Sequence, residues 1–406
     1  MKQNPYRRVL AVPGMTRLLA VTTLARIPGL AASIVLTLYV VVGLHRGYAE
    51  AGLLATAMTL GTALSGPWRG RAIDRFGVRK ALLPSIVAVA IFWSVAPLLS
   101  FVWLVPAAVL AGLFNPPVFS ISRQAIGSML PEELRRTGFA LDSVLVEMSY
   151  MVGPLAGVLA STALSPAVTM VGLGAFQVIA CLTLVVLNPR VVSAATEAVA
   201  DKPQRAGMAS PGFVSVLVLM ASSTLALSGS EVAAIAVLRG QHQDVWIGVV
   251  LAVWAVGSMI GGLLYGGLSK AISSAAIVVS LGVATMLLTA APNWWVLAIA
   301  LLPVGMLCAP SISATVSDVN RLVPPVRRGE AMGWHGTAGT AGVSIGAPLA
   351  GLAIDYLGAT WGFAITGGVG VALALAAIAI GRFGSGNGWR TRRVTLSTAA
   401  ATAPAS

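Results

Sequence analysis

Twelve apolar stretches, each close to the 20 or so residues that a helix needs to cross a bilayer, set the limits on what this chain can fold into. They cover about 18–44, 51–69, 81–100, 102–129, 138–163, 167–188, 212–238, 245–268, 275–291, 295–319, 331–354 and 361–381. Hydrophobic residues make up 57% of the 406 positions and charged residues 10%. No soluble core of this size hides so much apolar surface. A segment in hydrocarbon must satisfy its own backbone, and spans of this length do so as helices. The expected fold is an all-α integral membrane protein with twelve transmembrane helices.

The placement of cations gives the expected orientation. Arg46 and Arg239 lie on one set of loops, Arg26 and Arg123 lie inside spans, and the other Lys and Arg residues gather on the opposite loops and at the two termini. Both termini are therefore expected in the cytoplasm, in a multi-pass protein of the inner cell membrane. The net charge of +13 is read as a topology signal and an affinity for anionic lipid, with no nucleic-acid partner. The first apolar stretch is too long for a signal-peptide core and lacks a small-residue cleavage site, so it is expected to be a retained helix. Trp68, Trp103, Trp246, Trp294, Trp295, Trp334 and Trp361 fall near span ends, where an interfacial belt would place them.

A duplication runs through the chain. Pro117, Ser120, Pro131 and Arg135 recur in nearly constant register as Pro310, Ser313, Pro324 and Arg328, and Gly153-Pro154-Leu-Ala-Gly157 is echoed by Gly346-Ala-Pro348-Leu-Ala-Gly351. The longest polar break separates six spans from six. The expected domains are an N-terminal six-helix bundle (1–188), a central cytoplasmic linker (189–211), a C-terminal six-helix bundle (212–381) and a cytoplasmic tail (382–406), the two bundles being pseudo-repeats. Duplicated halves that rock about a midplane site are a hallmark of secondary transporters.

Between the second and third spans lies Gly70-Arg-Ala-Ile-Asp74-Arg75-Phe-Gly77-Val-Arg79-Lys80. A plain positive-inside loop accounts for its arginines but not for Asp74 and its glycines. With its flanking helices the segment resembles the first-loop motif of the major facilitator superfamily, and the resemblance extends over essentially the whole chain. It implies that Gly70, Asp74, Arg75, Gly77, Arg79 and Lys80 form a cytoplasmic latch holding the outward-facing state. In the second half Gly262 and Gly266 keep the spacing, but Lys270 stands where Asp74 stands in the first.

Gly153, Pro154 and Gly157 resemble part of the helix-five motif of the family's drug and proton antiporters. Small residues that allow close packing beside a proline kink explain them equally well. Asn115-Pro116-Pro117 and Arg123-Gln124-Ala125, ahead of Leu130-Pro131-Glu132-Glu133-Leu134, resemble bacterial exporter-like members, including macrolide and siderophore efflux relatives.

Ionisable groups inside a bilayer are costly and tend to face a cavity or a partner. Those here are Arg26, Arg123, Asp142, Glu147, Glu231, Asp318 and His335. Glu147, roughly 13 Å into span five at the helical rise, is the first choice for a proton-coupling carboxylate. Arg26 lies at similar depth, and a pair between the two would hold Glu147 ionised or serve structure alone. Asp142, about one turn into the span and near Arg135 and Arg136, is expected as an interfacial charge. Five residues separate it from Glu147, about 140° around a helix, so the two do not share a face. Glu231 guards the outer mouth, receives a cation or snorkels. Arg123 and Asp318 fit bundle electrostatics, and His335 is a weaker candidate for a proton relay.

No phosphate-binding loop, His-Glu-x-x-His motif or paired Cys-x-x-Cys site occurs, and Cys181 and Cys308 both fall within spans. The chain is expected to be neither an enzyme nor a holder of a cofactor or metal. The expected function is secondary active transport by alternating access: proton-coupled efflux of a small amphipathic compound by a monomer. Proton-coupled nutrient uptake is the alternative, and a non-transporting receptor or scaffold the alternative of another class.

Overall fold

A computed structural model describes residues 4–189, 210–243, 246–268 and 272–385. Most of the expected linker 189–211, Lys270 and the tail beyond residue 385 lie outside the described residues. Within them every regular element is a helix. A short α1 (Pro5–Leu10) precedes α2 (Met15–Leu38), α3 (Tyr48–Val95), α4 (Phe101–Leu113), α5 (Val118–Met129), α6 (Glu132–Ala163) and α7 (Pro166–Leu187). After the linker come α8 (Pro211–Gly240), α9 (Ile247–Gly267), α10 (Ser274–Leu287), α11 (Trp294–Leu322), α12 (Arg328–Leu357) and α13 (Trp361–Ser385).

Among the described residues ten stretches are long and apolar enough to cross a membrane. One of them, at 49 residues, is twice the length needed. Gly77 breaks it, with φ 74° and ψ 170°, a conformation an L side chain resists. The Arg69 guanidinium donates to Ala81 O at 3.2 Å and to Ser85 Oγ. Sixteen residues of straight helix would hold the ends of that contact about 24 Å apart, so the chain reverses at Gly77. Spans two and three are the two limbs of α3, and with the shorter apolar helix Ser274–Ala290 the twelve spans are complete.

Span four differs from its expected continuous form. Pro116 and Pro117 both lack an N–H, and the helix stops at Leu113 to restart at Val118. In span ten Pro303 and Pro310 are separated, and α11 runs unbroken through both. Lone prolines bend a helix; an adjacent pair interrupts this one.

The core shows where the two sets of six spans meet. At the end of the bundle that carries the 70–80 turn, here termed the basic end, one cluster joins Val9, Leu18, Leu130 and Phe139 to Phe213, Val319, Val323 and Met332. It draws on both sets. At the opposite end, Tyr39, Leu54, Trp93 and Leu104 form a cluster within the first set, and Val237, Leu288, Leu297 and Phe363 another within the second. Apolar packing therefore seals the seam at the basic end, while at the other end each set packs on itself.

Candidate functional site at the seam

At the basic end α3 and α12 approach as closely as backbones allow. A Cβ on Gly70 would stand 1.9 Å from Gly329 O, and one on Gly333 2.1 Å from Gly66 O. Gly66 and Gly70, facing Gly329 and Gly333, are each four residues apart, so both glycine pairs lie along one helix face. The contact brings Asp74, 4% exposed, onto the first turn of α12, where Oδ1 accepts from Gly329 N at 2.7 Å and Oδ2 from Glu330 N at 2.8 Å. Those N–H groups have no partner within their own helix, and the helix dipole favours an anion there. Burial nevertheless raises the Asp74 carboxyl to about 7, against the lowering by the two N–H groups.

Other motif residues surround this contact. Arg71 donates to Glu330 Oε1 at 2.7 Å and Arg327 to Oε2 at 3.3 Å. Arg75 lies over the Phe76 ring, and Arg79 donates to Val185 O at 3.0 Å. Lys80 is exposed. In the second half, Gly266 meets Ala140 and Tyr6, while Thr137 donates to Gly266 O at 2.7 Å. The Tyr6 hydroxyl donates to Leu263 O, tying the N-terminal α1 to α9.

Deeper in the bundle the charges pair differently from expectation. Arg26 Nη2 binds Asp142 Oδ1 at 2.6 Å with both side chains enclosed. Ser122 donates to the same oxygen at 2.7 Å, and the guanidinium lies 5.0 Å from the Phe119 ring centre. Asp142 is thus a buried counter-ion rather than an interfacial charge, and the partner of Arg26 is not Glu147. The physical reason is azimuth: residues about 140° apart on α6 address different neighbours, Asp142 facing α2 and α5. Arg135 instead donates to Leu130 O, and Arg136 lies over the Tyr265 ring.

Glu147 faces the other set of helices. Its Oε1 accepts from Ser258 Oγ of α9 at 3.0 Å and from Cys308 Sγ of α11 at 3.3 Å. Arg123 also crosses the seam: its Nη1 lies 3.3 Å from His335 Nδ1 of α12, whose Nε2 lies 3.0 Å from Thr315 Oγ1 of α11. Glu231 is exposed on α8, with no hydrogen bond among the described residues. Asp318 binds Arg321 at 3.0 Å and Ser274 at 2.5 Å.

Gly153 and Gly157, on either side of Pro154, lie against α2, where added Cβ atoms would meet Ile27 O at 3.1 Å and Val35 Cγ2 at 3.0 Å. Sequence reasoning missed Ser122, Ser258, Glu330, Gly329 and Tyr6. Only the glycines carried a signal, since Gly329 and Gly333 repeat the four-residue spacing of Gly66 and Gly70. Among the described residues no group of three or more His, Cys, Asp or Glu is placed to hold a metal ion.

The family model described as Major Facilitator Superfamily matches residues 18–270 and 206–401. No curated protein matches the sequence. Among solved structures, a bacterial homologue of the iron transporter ferroportin, in an outward-facing state, is similar at a TM-score of 0.70 and 16% identity, covering 91% of this chain and 99% of that one. FucP in the outward conformation is similar at 0.67 and 13%, covering 91% and 97%. The human organic anion transporter MFSD10 is similar at 0.64 and 19%, covering 92% and 100%. At these identities the likeness is one of fold.

Proposed function

The chain belongs to the major facilitator superfamily, and from that premise we propose that it couples proton movement to efflux of a small amphipathic compound by alternating access. Membership makes it a secondary transporter in a membrane and not an enzyme. The single observation that carries the finer reading is Glu147. This carboxylate belongs to the first set of helices, and both donors to its oxygen, Ser258 and Cys308, belong to the second. When the sets rock apart those donors leave, and the carboxylate meets the opened cavity, where it exchanges a proton with water. Rocking and proton exchange are then one event.

Residues 1–188 and 212–381 act as the rocking bundles, with the basic end and both termini in the cytoplasm, and the protein works as a monomer in the inner membrane. Positive loops support that orientation. A sealed basic end with the Asp74 contact made is then the outward-facing state, in which Gly70, Asp74, Arg75, Gly77, Arg79 and Lys80 serve as the latch. Gly153 and Gly157 let α6 pack closely on α2, and Pro154 is where α6 bends as the bundles move. Arg26 and Asp142 hold the α2–α6 frame, and Glu231 lies toward the outer mouth.

The test is compound-dependent proton movement in proteoliposomes across a panel of amphipathic compounds, comparing wild type with Glu147→Gln. Flux lost in the variant supports the reading. Flux retained at the wild-type level moves coupling away from Glu147.

A further inference from the structure

The buried charges near the middle of the seam do not balance. Asp142 is bonded to Arg26, Glu147 is bonded to neutral donors of the other set, and Arg123 is bonded to no carboxylate among the described residues. Arg26 is spent on that pair, and its Nε and Nη1 have no partner. Arg123, 8% exposed, makes its hydrogen bond to a neutral base, the His335 ring nitrogen of the opposite set of helices. Since guanidinium only donates, His335 Nδ1 must accept, leaving its Nε2–H for Thr315. Asp142 acts on Arg123 through space but is bonded to Arg26, so this cation is held inside a membrane by one imidazole with no bonded carboxylate, a costly arrangement unless an anion takes its turn.

There is space for such an anion beside the contact. A cavity of about 130 Å³ lies between α3, α5 and α12; its lining includes Phe119, Ser120, Gly336, Thr337 and the buried Arg69, which is bonded to Ala81 O and Ser85, while Arg123 and His335 lie just beyond it. Phe119 and Ser120 precede Arg123 by four and three residues, so they share its face of α5. Gly336 adjoins His335 on α12. The cavity therefore lies about one helical turn from the Arg123–His335 contact. Its size suits a single carboxylate, sulfonate or phosphate head, with the rest of a ligand extending into the seam.

We infer that Arg123 is the anchor for an anionic group on the transported compound, and that His335 and this group occupy it alternately. With the basic end sealed, His335 holds the guanidinium. When α12 withdraws, Arg123 loses that bond and presents its fork of donors to an anion arriving from the basic end, the geometry for which guanidinium is suited. Closure returns His335 and displaces the anion. The inference rests on the transport reading and narrows it to organic anions, with Arg123 setting the charge preference.

Fluorescein and rhodamine 123 share a fused-ring scaffold and carry opposite charge, and their binding to the purified full chain is read by fluorescence polarisation. Fluorescein is expected to bind wild type, to bind Arg123→Gln at least about tenfold more weakly and Arg123→Lys with an intermediate loss, and to bind His335→Ala more tightly. Rhodamine 123 affinity is expected not to follow Arg123. Monodispersity on size exclusion shows that each variant is folded; if Arg123→Gln is not, Arg123→Lys and His335→Ala carry the test by moving in opposite directions. Unchanged fluorescein affinity in folded Arg123→Gln, parallel weakening in His335→Ala, or no fluorescein binding to wild type overturns the inference. Proton-coupled movement of rhodamine 123 without fluorescein binding would remove the anion site yet leave the transport reading intact, whereas loss of the Glu147 dependence would remove the coupling reading alone.

Discussion

Asp74 Oδ1 and Oδ2 lie 2.7 Å and 2.8 Å from the backbone nitrogens of Gly329 and Glu330, so one carboxylate of the first six spans caps a helix of the last six. An amide cannot reproduce this contact, because its nitrogen would face an N–H donor. At about pH 4, where the wild-type carboxyl is neutral like the amide and only the lost acceptor differs, Asp74→Asn is expected to weaken the sealed state by about 1–2 kcal/mol, raising the open fraction roughly tenfold. Spin-label distances across the seam at the basic end measure that fraction.

The same contact gives a pH dependence. In the sealed state the Asp74 carboxyl is raised to about 7; released into water it returns to an ordinary value of about 4. The sealed state therefore binds the proton more tightly, and its advantage grows as pH falls from about 7, is complete below about 4 and is flat above about 7. Spin-label distances recorded across that range should follow this curve in wild type, and Asp74→Asn should abolish the Asp74-dependent part.

Glycine at position 70 is required by space. A Cβ there would sit 1.9 Å from a backbone oxygen that cannot rotate away. Gly70→Ala is expected to part α3 from α12 and shift the protein toward the open basic end, while Gly351→Ala, which meets nothing within 4 Å, should leave the distances unchanged.

Asp142 and Glu147 of α6 are expected to fail differently. Asp142→Asn leaves the enclosed Arg26 without a counter-charge, a loss of about 3–5 kcal/mol, visible as a lower unfolding temperature in detergent. Glu147→Gln faces only neutral donors, Ser258 and Cys308. It should keep the wild-type unfolding temperature while losing proton coupling.

Tyr6 offers a milder test. Tyr6→Phe removes the hydrogen bond to Leu263 O but keeps the ring, and is expected to favour the open basic end by about 1 kcal/mol in the same distance measurement.

Membrane class, the twelve spans, the superfamily and the charged turn between spans two and three could all be read along the chain. Apolar length and cation placement depend on local composition, which the bilayer reads directly. The interruption at Asn115-Pro116-Pro117 was legible in the two adjacent prolines, although a continuous span was expected. Side-chain pairing came from the folded molecule: Arg26 with Asp142, Glu147 with Ser258 and Cys308, Arg123 with His335. Helical periodicity places Asp142 and Glu147 on different faces of α6, yet it does not say which face meets which neighbour. In a membrane the lipid-facing and packing faces are both apolar, so the rotation of each helix is set by close contacts such as Gly70 on Gly329 and Gly153 on Ile27, made between residues far apart in the chain.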